Sequence, residues 1–173
     1  MASIRAVSQA DSAPYRELLH LAYEDSERLG IHFAAYNATQ ELIEEHIASN
    51  LVYLLEEDSR FVSTISLRLP WGNNPGPFGL PHLGWFATHP HYCNKGHGRK
   101  LFEWLERNIL KKQLKLPALT VGTALEHPWL PQLYMRYGFK EIGRTKLTSD
   151  HTTVYFEKIV DENLYIKWAK AHK

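Results

Sequence analysis

Apolar positions along this chain change their period several times, and each change marks the edge of an element. Ile4 to Val7 alternates as a short strand. Asp11 or Ser12 then opens a helix to about Leu29, where Leu18, Leu19, Ala22 and Leu29 fall near helical spacing and Gly30 is the stop. Residues 31–37 read as a loop, and Asn37 or Thr39 caps a second helix. Its apolar Leu42, Ile43 and Ile47 separate from Glu41, Glu44 and Glu45. Leu51 to Leu55 and Phe61 to Leu69 read as strands joined by a turn at Glu57-Asp58-Ser59. The proline- and glycine-broken stretch from Pro70 to Pro77 is a loop, and His82 to Thr88 is a fourth strand.

From about Gly98 an amphipathic helix follows, with Leu101, Phe102, Leu105 and Ile109 on one side and Lys111 and Lys112 near its end. The remainder reads as a strand at Ala118–Thr123, a short helix from Trp129 to Tyr137 stopped by Gly138, strands at Phe139–Arg144 and Thr152–Ile159, and a terminal helix near Leu164–Lys170. The order β-α-α-β-β-β-α-β-α-β-β predicts an α/β (α+β) domain, a mixed sheet with helices on its faces. A doubly wound dinucleotide fold would alternate strand and helix throughout. With no repeat, low-complexity tract or linker, the pattern predicts one domain over residues 1–160 and a short helical tail over 161–173.

Composition narrows this further. The chain has 173 residues, 44% hydrophobic and 23% charged, an ordinary globular balance. Twenty Lys and Arg against 19 Asp and Glu leave a formal charge of +1, so no whole-chain field favours nucleic acid or an anionic membrane. The single Cys93 excludes an internal disulfide and a cysteine-rich zinc site. No run approaches the ~18 apolar residues that would span a bilayer, and the first residues lack a signal-peptide core. The expectation is a soluble, cytoplasmic protein with no nucleic-acid or membrane partner.

The most informative stretch runs from Thr88 to Lys100, THPHYCNKGHGRK, between a strand and a helix start. Gly96 and Gly98 let the backbone turn tightly, and the first helical N–H groups point outward at the positive end of the dipole. Lys95, Arg99 and Lys100 add charge suited to a phosphate. By itself such a loop is equally an ordinary strand-to-helix turn with solvated basic residues, and it is neither a Walker loop nor GxGxxG.

Taken with Leu133-Tyr134-Met135-Arg136-Tyr137-Gly138-Phe139, the run from Phe86 to Leu101 resembles the GNAT N-acetyltransferase superfamily. That family shows a strand, an aromatic-containing turn, [Gln/Arg]-x-x-Gly-x-[Gly/Ala] opening a helix, and later a Leu-Tyr-x-x-x-Gly-Phe helix and strand. The resemblance implies the GNAT fold, a mixed, mostly antiparallel twisted sheet of about seven strands flanked by helices. It also implies acetyl-CoA as acyl donor. By position, Phe86, Ala87 and Thr88 would pair with the pantetheine arm, and Asn94, Lys95, Gly96, His97, Gly98 and Arg99 would hold the pyrophosphate. Cys93 stands where the family usually has Gln or Arg, and Asn94 where it often has Gly.

Tyr134 matches the family's tyrosine general acid, a group neutral at pH 7 that can protonate a leaving thiolate. A carboxylate that some members carry in the preceding strand would fall near Gly122, which has no side chain. Another branch, which includes serotonin N-acetyltransferase, places histidine at His82, with Gly84 at its second histidine. A two-residue period puts His82, Gly84, Phe86 and Thr88 on one strand face. His82 is therefore the candidate base, with Glu126 and His127 behind it, and His127 aligns with an asparagine often found near CoA.

The resemblance implies an acetyl-CoA-dependent N-acetyltransferase in which a small-molecule primary amine attacks the thioester directly. Peptide or protein N-acetylation, or a non-catalytic acyl-CoA-binding module, are the alternatives. Phe33, Tyr36 and Trp71, with Phe78, supply aromatic surface for the acceptor pocket. His89, His91 and His97 lack a neighbouring carboxylate, and no metal is expected. A homodimer fits the family habit.

Overall fold

A computed structural model describes residues Met1–Lys173. Seven strands form one sheet: β1 (Ala2–Ala6), β2 (Leu51–Glu57), β3 (Arg60–Arg68), β4 (His82–Thr88), β5 (Ala118–Ala124), β6 (Lys140–Thr145) and β7 (Thr153–Ile159). Their order across the sheet is β1-β2-β3-β4-β5-β7-β6. All neighbours run antiparallel except β4 and β5. Five helices complete the chain: α1 (Ser12–Arg28), α2 (Gln40–Ser49), α3 (His97–Trp104), α4 (Leu130–Arg136) and α5 (Glu162–His172). The element order is the expected one, with boundaries displaced by one to three residues at most ends.

The sheet divides two cores. Tyr15, Leu18 and Leu19 of α1 and Ile43 of α2 pack on Val52, Leu54 and Ala87 on one side. Leu101, Phe102 and Leu105 of the α3 region, Tyr134 of α4 and Tyr137 at its end pack on Leu55, Ile65, Leu83 and Val121 on the other. Alternation along each strand, period two, sends neighbouring residues to opposite cores.

Local chemistry sets several ends. Thr39 caps α2 by accepting the Leu42 N–H at 3.2 Å. The helix opened by α3 does not end at Trp104. It continues to Gln113 with widened, π-type turns, and Leu114 N–H donates to the Ile109 carbonyl five residues back at 2.8 Å. Lys158 of β7 pairs with Glu106 at 2.6 Å and lies 5.0 Å from the Phe102 ring centre, tying this segment to the sheet.

Phe102 is the hub of the second core. Its ring lies 4.9 Å from Tyr137, 5.9 Å from Phe139 and 6.4 Å from Phe86, joining α3, α4 and β4. Phe102→Ala is expected to lower unfolding free energy by about 3–5 kcal/mol in urea titrations, through lost burial and the cavity left behind. A loss below about 1 kcal/mol would mean that the three elements are joined by something else.

Candidate active site

Beside β4 the sheet opens. β4 and β5 pair only at His82↔Thr120 and Leu83↔Val121, while β5 continues alongside β7 to Ala124. Beyond Leu83 the free edge of β4 therefore presents backbone groups with no strand next to them, and these need another partner.

A bulge lies at the same place. Ser66 pairs with Gly84 and Thr64 with Ala87, so Trp85 and Phe86 together oppose Ile65. Trp85 takes a left-handed backbone (φ +43°), a strained conformation for a bulky side chain. Its indole is held by stacking on His46 of α2, 3.8 Å between ring centres. The extra residue breaks the expected alternation. Leu83 and Phe86 face the α3/α4 core, whereas Trp85 and Ala87 face α1 and α2. His82 and Gly84 flank Leu83 and so lie on the α1/α2 face, not with Phe86 and Thr88.

The glycine loop follows β4. Gly96 caps α3 with φ +81°, and Asn94 is also left-handed (φ +62°). The first backbone bond into the helix is Lys100 N–H to the Gly96 carbonyl at 3.0 Å, which leaves the N–H groups of His97, Gly98 and Arg99 without intrahelical acceptors. A side chain at Gly98 would sit 3.3 Å from Thr88 Oγ1 and 3.5 Å from the Phe86 ring, so the helix start is pressed against the open strand. Lys95 projects over Tyr92 and Arg99 over Tyr137, the latter also bonded to Glu103. His97 pairs with Glu57 at 3.6 Å. This concave, amide-rich end can hold a phosphate group.

Two phenols approach this region from opposite faces, near enough for Tyr134 to act electrostatically on Tyr23. Tyr134 of α4 is 5% exposed within the second core, and burial pushes its hydroxyl well above the usual phenol range. Tyr23 of α1 donates to the Phe86 carbonyl at 3.4 Å. Burial, then the neighbouring Tyr134 and Tyr15 phenols, raise its pKa as well. Both stay protonated at physiological pH and can donate hydrogen bonds. Tyr23 carries no motif in the sequence; only its place in an amphipathic helix was visible there.

On the α1/α2 face His82 Nδ1 bonds Thr120 Oγ1 at 2.7 Å, and Nε2 has no protein partner. Burial, then the charge of Arg68, lowers its pKa to about 4, so the ring is neutral from pH 5 upward. The 70–80 loop roofs it: a Cβ on Gly76 would fall 2.4 Å from the His82 Cβ. Where a carboxylate at position 122 would project, the Tyr155 ring lies 2.9 Å from a Cβ built on Gly122. Tyr155 in turn meets Phe78 edge-on at 5.1 Å. A side chain at Gly84 would meet nothing within 4 Å, so open space lies above the strand.

The other sequence candidates separate. Phe33 reaches the site, 5.4 Å from Tyr23 and 5.9 Å from His151. Tyr36 turns to the outer side of α1, where it stacks on His20 at 4.8 Å. Trp71 is 69% exposed at the edge of the loop. His127 Nδ1 accepts the N–H groups of Trp129 and Leu130 at 3.3 and 3.2 Å, capping α4 just ahead of Tyr134. Glu126 accepts the Thr152 N–H. The sequence reading also missed His151, whose Nδ1 lies 2.8 Å from Asp150; that carboxylate accepts the His32 N–H, joining the α1–α2 and β6–β7 loops beside Phe33. No group of three His, Cys, Asp or Glu side chains is placed to hold a metal ion. No helix is long and apolar enough to cross a membrane.

Residues 48–141 match the model of the acetyltransferase (GNAT) domain. The chain is 44% identical over 160 residues to the S-(2-succino)cysteine N-acetyltransferase of Bacillus subtilis, covering 92% of this chain and 97% of that protein. It is 32% identical over 167 residues to the S-alkylcysteine N-acetyltransferase of the same organism, covering 96% and 86%. Among solved structures, the PaiA N-acetyltransferase of Thermoplasma acidophilum in complex with coenzyme A superposes with TM-score 0.71 at 17% identity, over 92% of this chain and 99% of that one. A GNAT acetyltransferase of Elizabethkingia anophelis with acetyl-CoA bound gives 0.65 at 20% identity, over 91% and 97%. Both structures share the fold.

The buried histidine makes stability depend on pH in a definite sense. The folded pKa of His82, about 4, lies below the ordinary 6.5, so the unfolded chain binds the proton first. Its contribution is fully present above pH 6.5 and is lost as pH falls toward 4. His82→Gln is expected to remove on the order of 2 kcal/mol from the stability lost between pH 7 and pH 5, read by urea unfolding at both pH values. An unchanged pH dependence in the variant would mean that His82 is not buried neutral.

Proposed function

This chain belongs to the GNAT acetyltransferase family and is an N-acetyltransferase, and from that premise we propose that it moves an acetyl group from acetyl-CoA to the α-amine of a small S-substituted cysteine. The observation that carries this reading is the opening beside β4, with a phosphate-competent helix start at one end and two protonated phenols at its apex. Two relatives covered over most of their length act on S-substituted cysteines, which supports that class of acceptor.

In this reading the pantetheine arm lies along the free edge of β4 at Phe86, Ala87 and Thr88. The N–H groups from Asn94 to Arg99 receive the pyrophosphate, with Lys95 and Arg99 alongside. Bound acetyl-CoA supplies the activated thioester. His127 reaches the cofactor through its role at the head of α4, since its Nδ1 is committed to the backbone there.

The acceptor enters from the α1/α2 face, past Phe33 and the 70–80 loop. Tyr36 and Trp71 lie at its margins. The neutral amine attacks the thioester carbon: a C–N bond forms, the C–S bond breaks, and Tyr134 donates a proton to the departing sulfur. Because burial keeps Tyr134 protonated, it arrives at the reaction as a donor. His82 receives the amine proton in the tautomer where Nδ1–H donates to Thr120 and Nε2 keeps its lone pair. With a pKa of about 4 it cannot hold that proton at neutral pH, so the proton passes on to water, and Tyr134 regains one from water to close the cycle.

The direct test follows free thiol release from acetyl-CoA with S-ethylcysteine as acceptor. Turnover is expected, and Tyr134→Phe should lower kcat by about 10²- to 10⁴-fold with KM little changed. Turnover with peptide N-termini but not with the cysteine conjugate would replace this reading by peptide acetylation. Acetyl-CoA binding without any thiol release would leave a non-catalytic module. His82→Gln should lower kcat/KM without deleting a break near pH 6.5, since the wild-type imidazole does not titrate there; a break that vanishes in the variant would contradict its low pKa.

A further inference from the structure

Arg68 ends β3 directly opposite His82, on the same sheet face, and its surroundings are unlike those of the other arginines. Arg5 bonds Asp11 and Glu56, Arg28 bonds Glu24 and Asp25, Arg99 bonds Glu103, and Arg144 bonds Glu141. Arg16, Arg60, Arg107 and Arg136 are exposed to water. Arg68 alone is drawn off the open surface with no carboxylate beside it.

Its guanidinium is nonetheless held in place. Nε donates to the Asn74 carbonyl at 2.8 Å, and Nη2 to the Pro75 carbonyl at 2.8 Å and Asn74 Oδ1 at 3.3 Å. Nη1 has no protein partner. These neutral oxygens fix the direction of the fork without neutralising its charge, and partial burial lowers its pKa from the usual arginine range. The two imidazoles within reach of its charge, His46 and His82, are both held neutral and add no charge beside it. Tyr155 of β7, which also acts on it, is a phenol. The open space above Gly84 lies beside this group, on the face from which the acceptor would approach.

We propose that the uncommitted Nη1 of Arg68 is the receptor for a carboxylate of the acceptor, set by the 74–75 loop before the ligand arrives. Resting on the N-acetyltransferase reading above, this makes Arg68 a specificity-determining residue. Nη1 can donate to one oxygen of a carboxylate, and an anion there supplies the charge compensation that the protein withholds. The guanidinium, already fixed by the loop, also loses little freedom on binding. The carboxylate has two possible sources in an S-substituted cysteine: the α-carboxylate itself, or one carried on the sulfur substituent.

Three acceptors separate these cases: S-(2-carboxyethyl)cysteine with both carboxylates, S-ethylcysteine with the α-carboxylate alone, and S-ethylcysteamine with none. Each is assayed by thiol release with wild type, Arg68→Gln and Arg68→Lys, with acetyl-CoA thermal stabilisation confirming the fold. The readout is the ratio of kcat/KM values between acceptors, which a merely structural loss in Arg68→Gln does not move. Wild type is expected to prefer carboxylate-bearing acceptors, and Arg68→Gln to reduce that preference by about 10- to 100-fold, the worth of a charged hydrogen bond. Arg68→Lys should recover part of it. Loss of preference for S-ethylcysteine over S-ethylcysteamine assigns the α-carboxylate; loss only of S-(2-carboxyethyl)cysteine over S-ethylcysteine assigns the substituent. Ratios unchanged by Arg68→Gln in an active enzyme overturn the carboxylate site alone. A wild type that acetylates none of the three overturns the cysteine-conjugate reading beneath it.

Discussion

Everything at the site follows from a parallel pairing that stops after two residues. Parallel strands lie side by side only where a crossover returns the chain along the same direction, here through α3 and its widened continuation. β5 then follows β7 and leaves β4 behind. Backbone donors and acceptors cannot be left dry, so the parted edge must face water, a side chain or a ligand. Tyr23 already takes one of these positions by donating to the Phe86 carbonyl. The same parting lets a phenol from each face of the sheet reach one space, which a closed sheet would forbid.

The bulge at Trp85 and Phe86 supplies the second constraint. One inserted residue sends Phe86 to the α3/α4 core, where it packs on Phe102 and Tyr137, while the indole of Trp85 turns to α2. The left-handed backbone at Trp85 is sustained by that stacking and by the polar network beneath it. His46 Nε2 lies 2.7 Å from Ser66 Oγ, which is within 3.5 Å of the Tyr15 hydroxyl. Burial keeps His46, like His82, near pKa 4. Neutral imidazoles therefore line the α1/α2 face beside β4, with Arg68 next to them and the other cations at the glycine loop. Near-zero net charge conceals this arrangement, because paired charges elsewhere cancel in the sum while their fields decay over a Debye length.

The order of elements, the glycine loop and the Leu-Tyr-x-x-x-Gly-Phe helix are local patterns, and each was legible from residues adjacent in the chain. Gly96 needs its positive φ and Thr39 its capping role whatever the rest of the molecule does, so propensity and punctuation located them. Tyr23, Arg68, Tyr155 and His151 were not legible, since each joins the candidate site through residues distant in the chain: Phe86, His82, Phe78 and Phe33 respectively. The expected shared face of His82 and Phe86 failed for the same reason. A period-two count assumes an unbroken ladder, and the bulge exists in the pairing of β4 with β3, not in β4 alone.

The sequence by itself thus determined the family and its class of reaction, through a glycine loop at a helix start and a Leu-Tyr-x-x-x-Gly-Phe helix. It did so because hydrogen bonding at helix starts and turns depends on residues a few positions apart. Only the tertiary structure decided what faces what: which histidine is neutral, which tyrosine fills the space above Gly122, and which arginine is left without an anion. Those properties are set by burial and by charges brought together across strands, and a linear pattern contains neither.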